Sequence, residues 1–142
     1  MNNSFSRRLK MLGMLLLLLG LITGLVLMNF KNPRMGLSSH LEGILNGLLL
    51  VAAGFLWDEL KLATRAKRSA GWLLLYGTYS NWFFTLLAAV LGTSRITPIA
   101  GAGYTGTRLQ ENILSAGFIL VGLSMLVAVT LMVYGLRSKF KA

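Results

Sequence analysis

The chain has 142 residues, 55% of them hydrophobic and 13% charged, with a net charge of +10 and a mean hydropathy of +0.68. A soluble domain carries nearly twice that charge, so an ordinary water-soluble globule is excluded. With no cysteine, disulfides and thiolate ligands are excluded as well.

Four apolar blocks follow one another at residues 11–29, 40–58, 70–91 and 112–135. Each approaches the roughly 20 helical residues that cross the hydrocarbon core of a bilayer. The expected fold is an all-α membrane protein, a four-transmembrane-helix bundle forming a single domain over 1–142. Arg7, Arg8 and Lys10 before the first block imitate a secretory signal. That run is long, however, and no small-residue cleavage site follows before Lys31, so it reads as an uncleaved first span.

The first connection contains Pro33, and Ser38 or Ser39 suits the N-cap of the second helix. That helix is expected to continue past the bilayer into the charged stretch 58–68. The third connection, 92–110, is the longest and is rich in glycine and threonine. The basic residues sit around the spans rather than in one patch, so they do not indicate nucleic acid. Arg7, Arg8, Lys10, Lys61, Arg65, Lys67, Arg68, Arg137, Lys139 and Lys141 belong to one side. Lys31, Arg34, Arg95 and Arg108 belong to the other. The positive-inside rule then places both termini and the middle connection in the cytoplasm of a bacterial inner membrane protein.

His40 is the sole histidine and stands at the mouth of the second span. An ionisable group at such a place marks a functional site. His40, Gly43, Gly47 and Gly54 fall on one helical stripe. Gly43-xxx-Gly47 is a small-xxx-small pattern that lets another helix approach. Beside an imidazole, the same stripe offers an open surface for a planar cofactor, and haem held by one histidine is the candidate. Glu42 and Asn46 lie four apart on a neighbouring face, either as an interhelical hydrogen bond or with Asn46 turned into the His40 cavity. Tyr76, Thr78, Tyr79, Ser80, Asn81 and Thr85 cluster near the middle of the third span, where polar groups face the bundle interior or a cavity. They suit either interhelical bonding or a substrate pocket.

Gly101-Ala102-Gly103-Tyr104-Thr105-Gly106 is a literal G-x-G-x-x-G, but the dinucleotide reading needs a preceding strand. Here a membrane span precedes it, and the glycines suit a tightly folded lid close to His40. Glu111 and Asn112 open the fourth helix, where a carboxylate suits the helix dipole. Catalytic zinc is disfavoured because it wants three protein ligands. His40-Leu41-Glu42 lacks the P-C-x-x-C half of a deaminase.

Asn32-Pro33-Arg34-Met35-Gly36-Leu37-Ser38-Ser39-His40-Leu41-Glu42-Gly43, followed by Asn46-Gly47, resembles the hydroxylaminobenzene mutases. So do Tyr76-Gly77-Thr78-Tyr79-Ser80-Asn81-Trp82 and Pro98-Ile99-Ala100. The resemblance covers essentially the whole chain. A more distant one, carried by His40, Asn46-Gly47 and Ser80-Asn81, is to styrene oxide isomerase, a four-span trimeric haem b enzyme. It implies His40 as axial iron ligand, Asn46 as a substrate-orienting group and a homotrimer with haem near subunit interfaces. Where that isomerase has an acid and a tyrosine on its third helix, this chain has Gly77 and Thr85, which favours the mutase over epoxide isomerisation.

The implied reaction converts an N-arylhydroxylamine such as hydroxylaminobenzene to a 2-aminophenol, with haem iron as Lewis acid. Asn46, Tyr76, Tyr79 and Asn81 would hold the substrate oxygen. Arg34, Arg95 and Arg108 would either pair with haem propionates or be plain loop charges. An apolar substrate would enter from the lipid bilayer. Competing expectations are a haem-free mutase using Glu42 and Tyr79, a small cation transporter and a structural subunit. The transporter is disfavoured because spans one, three and four carry no carboxylate.

Overall fold

A computed structural model of the chain describes residues 2–137, with side chains from Ser4 onward; Lys139 and Lys141 lie outside the described residues. Four long helices, α1 (Asn2–Val26), α2 (Pro33–Leu56), α3 (Thr64–Leu91) and α5 (Arg108–Leu136), carry the four apolar blocks. The fifth, α4 (Pro98–Gly101), is a single turn within the third connection. The shortest long helix has 24 residues, about 36 Å, so all four are long enough and apolar enough to span a bilayer.

The helices form an open row rather than a closed square. α1 packs on α2, α2 on α3 and α3 on α5, while α1 touches α3 lightly. Among the described residues α1 and α5 make no substantial contact. Leu9, Leu16, Leu50, Ala53, Ala70, Leu74 and Ala128 form the core at the end where the chain starts. A smaller cluster of Met35, Ala88, Ala89 and Leu114 lies at the other end, beneath the third connection.

The α1–α2 contact is the most extensive between two helices, and glycine makes its backbone approach possible. A Cβ on Gly13 would lie 2.6 Å from the Gly47 carbonyl oxygen, and one on Gly20 would lie 2.7 Å from the Ile44 nitrogen. A Cβ on Gly47 would lie 2.7 Å from the Leu17 nitrogen, and one on Gly43 would meet the Gly20 Cα. These are backbone atoms with nowhere to retreat. Gly43 and Gly47 are therefore covered by α1, and the open platform expected beside His40 is absent from the single chain. Helix packing has taken that stripe.

Three helix boundaries differ from the sequence expectation. The N-cap of α2 is Asn32, not Ser38 or Ser39: its side chain accepts from the Met35 N–H, and Pro33 occupies the first turn. Ser38 bonds back to the Arg34 carbonyl, and Ser39 donates to the Trp82 carbonyl of α3. At its far end α2 does not run into the charged stretch. It tightens into a 3₁₀ turn at Trp57–Glu59, and Leu60 is extended. Finally, α5 starts at Arg108 through a capping box between Thr107 and Gln110, one turn before Glu111 and Asn112.

The packing predicts a contrast between two alanine substitutions. Gly43→Ala should lower the unfolding transition in detergent by the equivalent of about 1–3 kcal/mol, the usual result of overpacking. Gly122→Ala, which would meet nothing within 4 Å, should stay within about 1 kcal/mol of the parent. Equal effects in a thermal or denaturant melt would contradict the seam.

Candidate functional site

His40 projects from α2 toward α1, where two further glycines receive it. Its Nδ1 lies 2.8 Å from the Gly20 carbonyl oxygen. A carbonyl can only accept, so Nδ1 carries a proton, and in the neutral imidazole Nε2 is the nitrogen with the lone pair. The ring lies against Gly24, where a Cβ would fall 2.5 Å from Nδ1 and 2.7 Å from Cε1. Gly20-xxx-Gly24 thus fixes both the tautomer and the orientation of the imidazole. The ring is half-buried and Nε2 is its uncommitted atom. A carbonyl-anchored imidazole with a free Nε2 is the arrangement found in histidine metal ligands. Among the described residues no three His, Cys, Asp or Glu side chains come together, so a multi-ligand protein site is not assembled here.

Glu42, two residues further on, is roughly 160° round the helix and faces α3 instead. Its Oε2 accepts from two amides, Asn46 Nδ2 at 2.9 Å and Asn81 Nδ2 at 2.5 Å. Asn46 is buried in the α2–α3 seam, so it bonds with Glu42 and does not turn into a cavity with His40. Glu42 does make an interhelical hydrogen bond, but its partner across helices is Asn81. Asn46 and Asn81 do meet, through a carboxylate, but on the opposite side of α2 from the imidazole.

The remaining third-helix candidates disperse. Thr78 donates to the Leu74 carbonyl and Thr85 to the Asn81 carbonyl, so both are satisfied within their own helix. Tyr79 donates through its hydroxyl to the Leu12 carbonyl of α1 at 2.7 Å. Tyr76 and Tyr79 line a shallow groove of about 450 Å³ with Leu12, Trp72 and Leu75. Leu12 lies eight residues from Gly20, roughly 12 Å along α1. The two tyrosines are thus a separate cluster, not part of a pocket with His40, Asn46 and Asn81 in the single chain.

Trp82 joins the three helices near His40. Its Nε1 donates to Thr23 Oγ1 of α1 at 3.2 Å, and its Cδ1 lies where a Gly43 side chain would begin. Sequence reasoning named Trp82 only as the end of a third-helix motif, without a role, and did not name the Gly20–Gly24 pair. Gly20-xxx-Gly24 in the leucine-rich first span was the signal available for the latter.

The third connection folds as a lid, as its glycines suggested, but its anchor is Glu111. This buried carboxylate accepts from the backbone N–H groups of Ser94 at 3.1 Å, Arg95 at 3.0 Å and Gly106 at 2.9 Å. Its role is to gather the loop rather than simply to oppose the helix dipole. Gly103, at φ +85°, supplies the left-handed turn. On the opposite edge Asn32 Nδ2 donates to the carbonyls of Ala100 and Gly101. The lid therefore closes over the start of α2, while His40 sits two turns deeper against α1. Arg95 is engaged with Asn112 at 2.6 Å. Arg34 and Arg108 are exposed and make no hydrogen bond through their guanidinium groups among the described residues.

The sequence profile described as Styrene oxide isomerase matches residues 5–137. The chain belongs to the styrene oxide isomerase family. Within it, the chain is similar to Hydroxylaminobenzene mutase HabB of Ectopseudomonas oleovorans, with 51% identity over 134 residues, 94% of this chain and 82% of the relative. It is also similar to Hydroxylaminobenzene mutase HabA of the same organism, with 45% identity over 104 residues, 72% of this chain and 77% of that one. No solved structure matches. This family member is an isomerase, which sets the transporter and structural-subunit readings aside.

The Glu111 anchor generates its own test. Glu111→Ala should leave the four long helices intact while the amides of Ser94, Arg95 and Gly106 exchange hydrogen at least roughly ten times faster, because each loses a charged acceptor. Unchanged protection at those three amides would remove Glu111 from this role.

Proposed function

We propose that this isomerase converts N-arylhydroxylamines, such as hydroxylaminobenzene, to 2-aminophenols within the membrane, with haem b held by His40. The observation that carries the cofactor reading is the His40 ring, anchored at Nδ1 by the Gly20 carbonyl with Nε2 left free. The printed names of both mutase relatives support the substrate class. Bound there, haem would supply a Lewis-acidic iron for the N–O oxygen. Arg34 and Arg108, exposed at the same end and uncommitted, are suited to its propionates.

The protein's own part is positional. The Gly20 carbonyl keeps the proton on Nδ1 and so keeps Nε2 available as a ligand. Asn46 and Asn81 present a polar edge from the α2–α3 seam, where the reacting N–OH group can be oriented away from bulk water. Because that edge and His40 point to opposite sides of α2, a site using both needs a second copy of the chain. The open row of helices, with α1 and α5 at its two edges, supports assembly into the homotrimer we propose. The orientation is the one the basic residues favour, with both termini cytoplasmic in a bacterial inner membrane. An apolar substrate would reach the site laterally from lipid.

Membranes containing the protein should convert phenylhydroxylamine to 2-aminophenol, and purified protein should show a Soret absorption band. His40→Ala should lose the band and lower kcat at least roughly 100-fold. Active protein without a Soret band would end the haem assignment, and no conversion would end the substrate assignment.

A further inference from the structure

Of the four carboxylates in the chain, Asp58 and Glu59 lie in the turn after α2, and Glu111 is tied up by the lid. Glu42 is different. It stands nine residues into α2, roughly 14 Å along the helix axis, where an unmatched carboxylate is expensive and marks function. Both amides that reach it, from Asn46 and Asn81, converge on Oε2. Oε1 makes no hydrogen bond among the described residues. Nor is it sealed in: among the described residues, Ser115 Oγ alone is a fully buried side-chain polar atom without a partner. The two asparagines therefore do not primarily present donors outward. Each gives an N–H to the carboxylate, fixing it so that a bare acceptor oxygen faces the accessible side.

We propose that Glu42 Oε1 is the substrate-specificity determinant of this isomerase: it accepts a hydrogen bond from the N–H or O–H of an arylhydroxylamine and disfavours epoxides, which have no donor to offer. The inference rests on the substrate class proposed above and explains how a member of a family described by styrene oxide selects a different ligand. An epoxide oxygen placed against Oε1 would set two acceptors in contact, with Oε1 left unpaired. An arylhydroxylamine brings two donors to the same position. A site built around a hydrogen bond to the substrate rejects the analogue lacking it far more strongly than an apolar pocket rejects a change of size.

Glu42→Gln tests this directly. The glutamine carbonyl can still accept from Asn46 and Asn81, so the α2–α3 seam is kept, but the accessible atom becomes an N–H donor. The measurement is the KM for phenylhydroxylamine and the inhibition constant of styrene oxide against that reaction, in purified parent protein, Glu42→Gln and Glu42→Asp. In Glu42→Gln the KM should rise at least roughly tenfold and the inhibition constant should fall. Their ratio should then shift by roughly 100-fold, the scale of one charge-assisted hydrogen bond. Glu42→Asp, still a pure acceptor, should keep the parent ratio within roughly tenfold. A ratio unchanged within threefold in Glu42→Gln overturns the proposal, as does equal weakening of both ligands, which would make Glu42 a structural group. If parent protein fails to turn over phenylhydroxylamine, the functional reading itself fails, an outcome distinct from either of these.

Discussion

The close approach of α1 to α2 governs the rest of the molecule. In lipid, two leucine-rich helices gain nothing from the hydrophobic effect by meeting, because the acyl chains are equally apolar. What remains is dispersion at short range and whatever polar contacts short range allows. Gly13, Gly20 and Gly24 on one helix and Gly43, Gly47 and Gly54 on the other bring the two backbones together along most of their length. At that separation the Gly20 carbonyl comes within hydrogen-bond reach of the His40 imidazole. A larger residue at either Gly20 or Gly24 would leave the ring unanchored. Helix packing and placement of the histidine are one interaction seen at two points of the same seam.

The polar groups inside the spans follow from the same constraint. Without water, every donor and acceptor at depth must find a partner in protein, and each resolves this differently. Thr78, Thr85 and Ser124 bond back to carbonyls one turn earlier in their own helices, which binds nothing across helices, whereas Thr23 does the same and also accepts from Trp82 of α3. Ser6, Ser39 and Tyr79 donate to a carbonyl of a neighbouring helix and fasten the row together. Glu42, Asn46 and Asn81 form a three-member cluster in which both amide nitrogens share one carboxylate oxygen, and the second carboxylate oxygen stays unbonded among the described residues, as do the two amide oxygens. A cluster that existed purely as structural glue would gain from closing its charged acceptor, as Thr107 and Gln110 close theirs in the capping box at the start of α5.

Much of the fold was legible because the bilayer imposes a long, coarse signal. Block length and hydropathy located all four spans, and the glycines of 101–106 announced a tightly folded loop. The helix ends were harder. Asn32 and Pro33 are a strong start signal, yet the apolar run begins seven residues later, so the serines nearest to it were preferred. The site was legible in its parts and not in its assembly. His40, Asn46 and Asn81 were all singled out, but period alone cannot say which face of α2 meets which neighbour. The glycine stripe looked open because nothing in a one-dimensional pattern shows that α1 fills it. The tyrosines were grouped with Asn81 by depth, whereas their azimuth carries them to the α1 groove.

Separation of the imidazole from the carboxylate cluster by the width of α2 has a consequence for how such a small chain can change its chemistry. The His40 side is fixed by backbone: a carbonyl and two glycines, none of which can be altered without disturbing the α1–α2 seam. The Glu42 side is fixed by side chains alone, and its accessible atom is set by one residue. Substitution there changes hydrogen-bond polarity without touching the glycine contacts that hold the helices. A family that keeps the first face and varies the second can therefore move between ligands that donate and ligands that accept while the bundle stays the same.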